Sequence, residues 1–237
     1  MTFRRFGGPT VEFPLGGLTF LTDPTFDEPG DYPIGDRKLT KTAPPTGEPG
    51  PVDVVLLSHD QHPDNLDRRG REFAAAAPLV LSTPAAASRL GRPVRGLSPW
   101  ETVQLDHGVR VTAVPAQHGP DGTEHLVGPV TGFVLEADGE PTLYVSGDNA
   151  SLRVVEEIAA RFPSIDVTVL FGGAARTPLV GDANLTLSAA DMVEAARILG
   201  VTRVVPAHID SWAHFTETPE DVRAAFDKAG VADLLQP

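Results

Sequence analysis

The stretch Val52-Asp53-Val54-Val55-Leu56-Leu57-Ser58-His59-Asp60-Gln61-His62-Pro63-Asp64-Asn65 decides the expected fold. Its first six residues form a nearly continuous apolar run, which predicts a strand buried on both faces in a sheet that helices cover. The polar residues that follow place two histidines and three aspartates within residues 59–67. This composition packs poorly, but it suits a divalent metal ion bound by imidazole and carboxylate groups.

Four further clusters carry residues of the same kinds, and three of them follow predicted strands. The clusters are Thr22-Asp23-Pro24, Gln117-His118-Gly119, Ser146-Gly147-Asp148-Asn149 and Pro206-Ala207-His208. Ligand-binding groups converge at strand ends in layered α/β folds. One metal ion needs three or four ligands, so His118, Asp148 and His208 would have to converge on the loop that begins at His59.

The rest of the chain predicts hairpins first and strand–helix units later. Residues 11–13 with 18–22, and 131–136 with 142–145, have the pattern of two hairpins. Ser151, Ser188 and Thr218 are placed to cap helices in the second half. There is no linker and no internal repeat, so we expect one α/β domain over residues 1–237, with two sheets packed face to face and helices outside.

Residues 27–51 are rich in Pro, Gly, Asp and Thr and have little periodicity. They predict a long surface loop, which is either a lid over a site or a disordered excursion.

Composition excludes several classes of protein. The chain has 237 residues with 41% hydrophobic and 22% charged residues, which is ordinary for a folded globular protein. The absence of cysteine excludes disulfides, thiolate metal sites and a cysteine nucleophile. The net charge of −13 argues against general nucleic-acid binding. No apolar run reaches the length of about 18 residues that a membrane helix needs, so we expect a cytoplasmic protein with a small-molecule substrate and leave its oligomeric state open.

Taken in order, these motifs resemble the metallo-β-lactamase superfamily over nearly the whole chain. In that superfamily a buried strand ends in His-x-His-x-Asp-His, and a later His, an Asp after a strand and a last His follow. Residues 21–24 resemble the second strand of that superfamily, and residues 208–215 resemble its branch related to ascorbate-6-phosphate lactonase. The resemblance implies a four-layer αββα sandwich and a metal-dependent hydrolase.

The first motif departs from the superfamily pattern in two ways. One extra residue separates the first two histidines, and Asn65 stands where the last histidine of the motif is expected. With one insertion, His59, His62 and Asp64 match. Other alignments place Gln61 at the second histidine or make Asp60 the first ligand. We prefer the first alignment because a loop can absorb the insertion. Asn65 could bind only weakly through its amide oxygen.

The resemblance implies two groups of metal ligands and two residues with catalytic roles. The first group is His59, His62, His118 and Asp148, and the second is Asp64, Asp148 and His208. One or two Zn²⁺ ions are expected, with Mn²⁺ or Fe²⁺ as alternatives. Asp64 would orient or deprotonate the attacking water. His214 is either a proton donor to the leaving group or an exposed loop histidine.

The substrate class implied is a lactone, another ester or a phosphodiester. Two other functions stay open: an iron-dependent oxygenase of the same fold, and a binding or regulatory protein with a decayed site. Metal analysis with oxygen uptake separates the first alternative from a hydrolase.

Five other residues are of interest: Arg176 and the two tryptophans have two possible roles each, and the two remaining histidines are expected to lie in a turn and in a loop. Arg176 follows a predicted strand and either binds an anionic group of the substrate or forms a surface salt bridge. His107 is expected in a hairpin turn and His125 in a loop, while Trp100 and Trp212 either pack in the core or form substrate walls.

Overall fold

The apolar runs of both halves become strands in the computed structural model, which describes residues 1–236. The first half contains β1 (Arg4–Gly7), β2 (Thr10–Leu15), β3 (Leu18–Thr22), β4 (Gly30–Ile34), β5 (Arg37–Lys41), β6 (Val54–Leu56), β7 (Leu79–Ser82) and β8 (Val94–Gly96). The second half contains β9 (Thr102–Gln104), β10 (Arg110–Pro115), β11 (Thr131–Glu136), β12 (Leu143–Val145), β13 (Val167–Phe171) and β14 (Arg203–Ala207).

The helices are fewer and belong mainly to the strand–helix units. They are α1 (Arg68–Ala76), α2 (Pro84–Leu90), α3 (Glu124–Val127), α4 (Leu152–Arg161), α5 (Ala189–Leu199) and α6 (Pro219–Lys228). Three helices begin at the expected caps: the side chains of Ser151, Ser188 and Thr218 accept hydrogen bonds from the first turns of α4, α5 and α6.

Two six-stranded sheets face each other across the largest apolar core. The first sheet has the order β1-β2-β3-β6-β7-β8 and the second has the order β14-β13-β12-β11-β10-β9. Side chains of both sheets meet between them, including Phe13 and Phe20 from the first and Phe133 and Phe171 from the second. Each sheet therefore hides one face against the other.

The outer face of each sheet is covered by helices. Buried residues of α4, α5 and α6, such as Ile158, Met192 and Phe226, pack with Leu170 of β13. On the first sheet, Ala74 of α1 packs with Val55 and Val80. The arrangement is the predicted αββα sandwich. Both predicted hairpins are confirmed: β2 pairs antiparallel with β3, and β11 pairs antiparallel with β12. Pro237 of the expected 1–237 domain lies outside the described residues.

The segment 27–51 differs from the expected loop because it contains the antiparallel pair β4–β5. The residues of these two strands are largely exposed or half-buried. Because neither strand packs one face in the core, the sequence shows no alternation of apolar and polar residues that would predict a strand. A turn at Gly35-Asp36 connects β4 to β5, so the two strands form a hairpin. The tip of this hairpin lies beside the site described next.

Candidate metal centre

The predicted ligand residues all follow the carboxyl ends of strands. Strands β10, β12 and β14 run in the same direction, since β10 and β12 each pair antiparallel with β11, and β12, β13 and β14 are parallel. Their ends therefore meet at one edge of the second sheet. His118, Asp148 and His208 follow these three strands, and the loop after β6 of the first sheet brings His59, His62 and Asp64.

Two local features fix the backbone that carries these side chains. The carboxylate of Asp23, at the end of β3, accepts a hydrogen bond from the backbone N–H of Ser58 at 2.6 Å, directly before His59. Gly147, in the Ser-Gly-Asp turn before Asp148, has a φ of +57°, and a Cβ there would lie 2.5 Å from the carbonyl oxygen of Thr131. A side chain at this position is excluded both by the backbone conformation and by the neighbouring strand.

Three imidazole rings converge at the first candidate metal position. His59 Nε2 lies 2.9 Å from His62 Nδ1, which lies 3.3 Å from His118 Nε2. His118 Nδ1 lies 2.9 Å from the carbonyl oxygen of Leu185, so this nitrogen carries the proton that it donates. In the neutral ring, His118 Nε2 therefore presents a lone pair to the cluster.

The environment keeps the other two rings without charge. Burial and the neighbouring histidines hold the pKa of His59 well below its usual value. Burial and His118 lower the pKa of His62 to about 4. Neutral imidazoles with lone pairs facing one another are the donor set that a divalent transition metal takes. With Asp148, these three residues offer ligand atoms that all lie within 4.8 Å of one another.

The second candidate position shares Asp148 with the first. Asp64, Asp148 and His208 also offer ligand atoms within 4.8 Å of one another. His208 Nε2 lies 3.2 Å from Asp64 Oδ2 and 3.7 Å from Asp148 Oδ1. Burial opposes protonation of His208, but the carboxylates of Asp148 and Asp64 outweigh burial and raise its pKa to about 9.

Several buried polar atoms of this second group make no hydrogen bond with residues 1–236. They are Asp64 Oδ1, Asp148 Oδ2 and both ring nitrogens of His208. Buried polar atoms are nearly always partnered, so unpartnered carboxylate oxygens that face a cavity fit a bound cation. The residues present therefore fit a metal ion at the first position and, with fewer donors, a second ion bridged by Asp148.

The alternatives at the start of the motif are separated by where the side chains point. His59 is fully buried in the cluster. Asp60 faces away from it and forms an ion pair with Arg89 of α2, whose Nε lies 2.9 Å from Asp60 Oδ2. Gln61 is exposed. The insertion is thus absorbed in the loop, and the geometry favours His59 over Asp60 as the first ligand and His62 over Gln61 as the second.

Asn65 and Asp23 occupy positions next to the ligands without joining either group. Asn65 Nδ2 donates to Asp148 Oδ1 at 3.0 Å, so the NH₂ group of the Asn65 side chain, and not its carbonyl oxygen, faces the carboxylate that both groups share. Asp23 holds Ser58, and burial together with the charge of Asp148 raises its pKa well above the usual value.

His214 lies against the second group rather than in an exposed loop. Its Nε2 is 3.0 Å from Asp64 Oδ2, and the ring is half-buried on the wall of the cavity. Burial alone would raise the pKa of Asp64, but His214 and His208 outweigh it and hold that pKa well below the usual value. Asp64 is therefore an anion that accepts hydrogen bonds from its neighbours.

The cavity over the site encloses about 400 Å³, space open to solvent included. Its inner wall contains His62, Asp64, His118, Asp148 and His214. Its exposed and half-buried lining residues form the mouth and are Ile34, Arg37, Leu39, Leu126, Arg176 and Leu179, while Val127, Thr177 and Leu185 are buried in the lining. Of these residues, the sequence patterns singled out only Arg176. These residues come from the β4–β5 hairpin, from α3 and from the loops after β13, so no local pattern marks them as neighbours.

The remaining histidines and the two tryptophans considered in the sequence lie outside the two candidate metal positions. His107 is exposed in the turn between β9 and β10, and His125 is exposed in α3. Arg161 lies over the Trp100 ring at 4.6 Å, and Trp212 is buried beside the base of the β4–β5 hairpin. Among residues 1–236, no helix combines the length and the apolar run that are needed to cross a bilayer.

Comparison with known proteins identifies the family of this chain. A family model described as a beta-lactamase superfamily domain matches residues 19–209. A metal-dependent hydrolase from Pelotomaculum thermopropionicum is 30% identical over 191 residues, covering 77% of this chain and 78% of the relative. Another from Thermococcus kodakarensis is 30% identical over 193 residues, covering 78% and 80%. The chain belongs to the metallo-β-lactamase superfamily, and these relatives are metal-dependent hydrolases.

Solved structures share the fold. An isothiocyanate hydrolase from Delia radicum gut bacteria superposes with a TM-score of 0.82 at 22% identity, covering 100% of this chain and 95% of that chain. CmlA, a diiron β-hydroxylase from Streptomyces venezuelae, superposes with a TM-score of 0.65 at 18% identity, covering 97% of this chain and 49% of that chain. At these identities the likeness concerns the fold alone.

Proposed function

We propose that this protein is a metal-dependent hydrolase that cleaves a small ester-type substrate, a lactone or a phosphodiester, by attack of water. The observation that carries the proposal is the convergence of His59, His62 and His118 beside a buried Asp148 on one cavity. The names of the curated relatives support the hydrolase class. Zn²⁺ suits three imidazoles and a carboxylate, and Mn²⁺ or Fe²⁺ are the alternatives.

The positions of the residues support the following roles. A divalent ion bound by this set would lower the pKa of a coordinated water to about 7 and polarise the scissile carbonyl or phosphoryl oxygen. Asp64, anionic and on the cavity wall, orients the attacking water by accepting its hydrogen bond. To His214, whose Nε2 lies 3.0 Å from Asp64 Oδ2, we assign the role of proton donor to the leaving oxygen.

His118→Ala tests the ligand assignment and the function together. Loss of a direct ligand should lower the metal affinity by more than the 10–100-fold that loss of an outer partner costs. We therefore expect metal content after dialysis to fall at least tenfold and hydrolysis of ester substrates to fall with it. Metal content is measured by inductively coupled plasma mass spectrometry, and hydrolysis with chromogenic lactones, esters and phosphodiesters.

His107→Asn is the matched control, since His107 is exposed in a turn with φ of +58° and asparagine tolerates that conformation. It should keep both metal and activity. Unchanged metal content in His118→Ala would contradict the site assignment. A protein that binds iron and consumes oxygen without hydrolysing any ester would contradict the hydrolase and favour the oxygenase.

A further inference from the structure

Two arginines stand at the mouth of the cavity on a chain whose net charge is −13. Arg37 lies at the start of β5, and Arg176 lies in the loop after β13. The nearest carboxylate to Arg37 is the exposed side chain of Asp36, 4.0 Å away. Within residues 1–236, no carboxylate forms an ion pair with Arg176. Within residues 1–236, neither guanidinium is therefore neutralised by a carboxylate at close range, and both line the cavity.

Both guanidinium groups are held in place by neutral partners. Arg37 Nη1 donates to Thr177 Oγ1 at 2.7 Å, which joins the β4–β5 hairpin to the loop that carries Arg176. Arg176 Nε donates to Asn184 Oδ1 at 3.0 Å. Each contact uses one N–H of a guanidinium that has five, so the remaining donors are oriented and available. Two guanidinium groups on one cavity have the charge and the N–H donors that a carboxylate or phosphate group takes.

Apolar side chains surround the arginines. Leu126 of α3 and Leu179 are 42% and 41% exposed, and they are the exposed large apolar side chains within residues 1–236. Both line the same cavity, as do Ile34 and Leu39 of the hairpin. An apolar surface with a few convergent polar groups is typical of a small-molecule site.

Resting on the proposed hydrolase function, we infer that the substrate is an anionic ester with an apolar body. Its anionic oxygen group binds Arg37 and Arg176, its apolar body packs on Leu126 and Leu179, and the ester lies deeper, at Asp64 and His214. The anionic group is a carboxylate or a phosphate, which share the oxygen chemistry that a guanidinium recognises.

The test is equilibrium binding of three probes to the full chain loaded with Zn²⁺, measured by calorimetry. The probes are 4-phenylbutyrate, phenyl phosphate and the neutral 4-phenylbutan-1-ol. At least one anion should bind tenfold or more tightly than the alcohol, and the tighter anion identifies the group. The double variant Arg37→Gln/Arg176→Gln should weaken that anion at least tenfold and the alcohol less than twofold.

Two further variants complete the design. Arg223→Gln removes one positive charge at an exposed position of α6, away from the cavity, so it should leave all three affinities unchanged. Leu126→Ser/Leu179→Ser should weaken all three probes. Thermal melting of each variant checks that it is folded.

Two results would overturn the inference. One is an anion preference that persists in the arginine double variant, because the anion would then be bound by the metal alone. The other is absence of binding by every probe. Calorimetry measures binding without turnover, so it tests the anion site separately from the hydrolase activity. If the protein bound the anion through these arginines but hydrolysed no ester, the proposed function would be contradicted and the anion site would stand.

Discussion

At the scale of single residues, we expect Asn65 to make the two candidate metal positions unequal in affinity. It stands beside Asp148, the carboxylate that both ligand groups share, and donates its amide N–H to Oδ1 at 3.0 Å. A neutral amide is a poorer ligand than imidazole for a transition metal. The second group consequently has three donors, Asp64, Asp148 and His208, and one of the shared oxygens is already engaged in a hydrogen bond.

Titration with Zn²⁺ or Mn²⁺ should therefore show two unequal affinities, the first tighter by tenfold or more. Asn65→His should bring the second affinity towards the first, because it supplies an imidazole and releases Asp148 Oδ1 from the amide. Asn65→Asp is a useful comparison, since it restores a charged donor without imidazole. Two equal and tight sites in the unmodified protein would show that Asn65 does not limit the second site.

The ligand residues could be predicted because their signals are local. His59, His118, Asp148 and His208 each follow an apolar strand within a few residues, and strand ends in such folds meet at one edge. The choice between His59 and Asp60 could not be made from spacing, since it depends on Arg89 of α2, a partner 29 residues away. The roles of these residues as ligands stay predictions until metal is measured.

At the scale of elements, the β4–β5 hairpin is held at its base by a buried charge pair. Lys41, the last residue of β5, is buried, and its Nζ lies 3.3 Å from Asp67 Oδ2 and 3.1 Å from the carbonyl oxygen of Thr25. Burial lowers the pKa of Lys41 although Asp67 acts against it. Asp67 also caps α1, accepting from Gly70 N at 2.7 Å, so one carboxylate ties the hairpin to the first helix.

Asp67→Ala should lower the free energy of unfolding by about 3–5 kcal/mol, because it leaves the buried ammonium of Lys41 without its carboxylate. The double variant Asp67→Ala/Lys41→Met should recover part of that loss, since no uncompensated charge remains. Urea denaturation measures both. Thr218→Ala, which removes an exposed cap of α6, should cost about 1 kcal/mol and sets the scale for a capping effect alone.

A double variant no more stable than Asp67→Ala would show that the cap of α1, and not the charge pair, carries the effect. The hairpin itself was not predictable, because its strands are exposed and carry no apolar alternation. The sequence did not predict helices α1 and α2 either, because the residues they bury are small: Gly70 and Ala74 in α1 and Ala86 in α2. The mouth of the cavity is harder still, since it forms where three separate segments meet.

At the scale of the whole molecule, the candidate ligands belong to both halves of the sandwich. His59, His62 and Asp64 follow β6 of the first sheet, whereas His118, Asp148 and His208 follow strands of the second. The two sheets are otherwise joined mainly by apolar side chains between them. A metal ion at this edge would therefore link the halves, and its binding free energy would add to the stability of the fold.

Metal should accordingly raise the melting temperature of the entire chain. At a free Zn²⁺ concentration 100 times the dissociation constant, binding adds about 2.7 kcal/mol. For a chain of this size that corresponds to a shift of roughly 5–10 °C. Differential scanning calorimetry of chelator-treated and Zn²⁺-loaded protein measures the shift. His118→Ala should lose more than half of it at the same Zn²⁺ concentration, while His107→Asn keeps it. An equal shift in His118→Ala would mean that Zn²⁺ stabilises the fold from some place other than the edge where the two sheets meet.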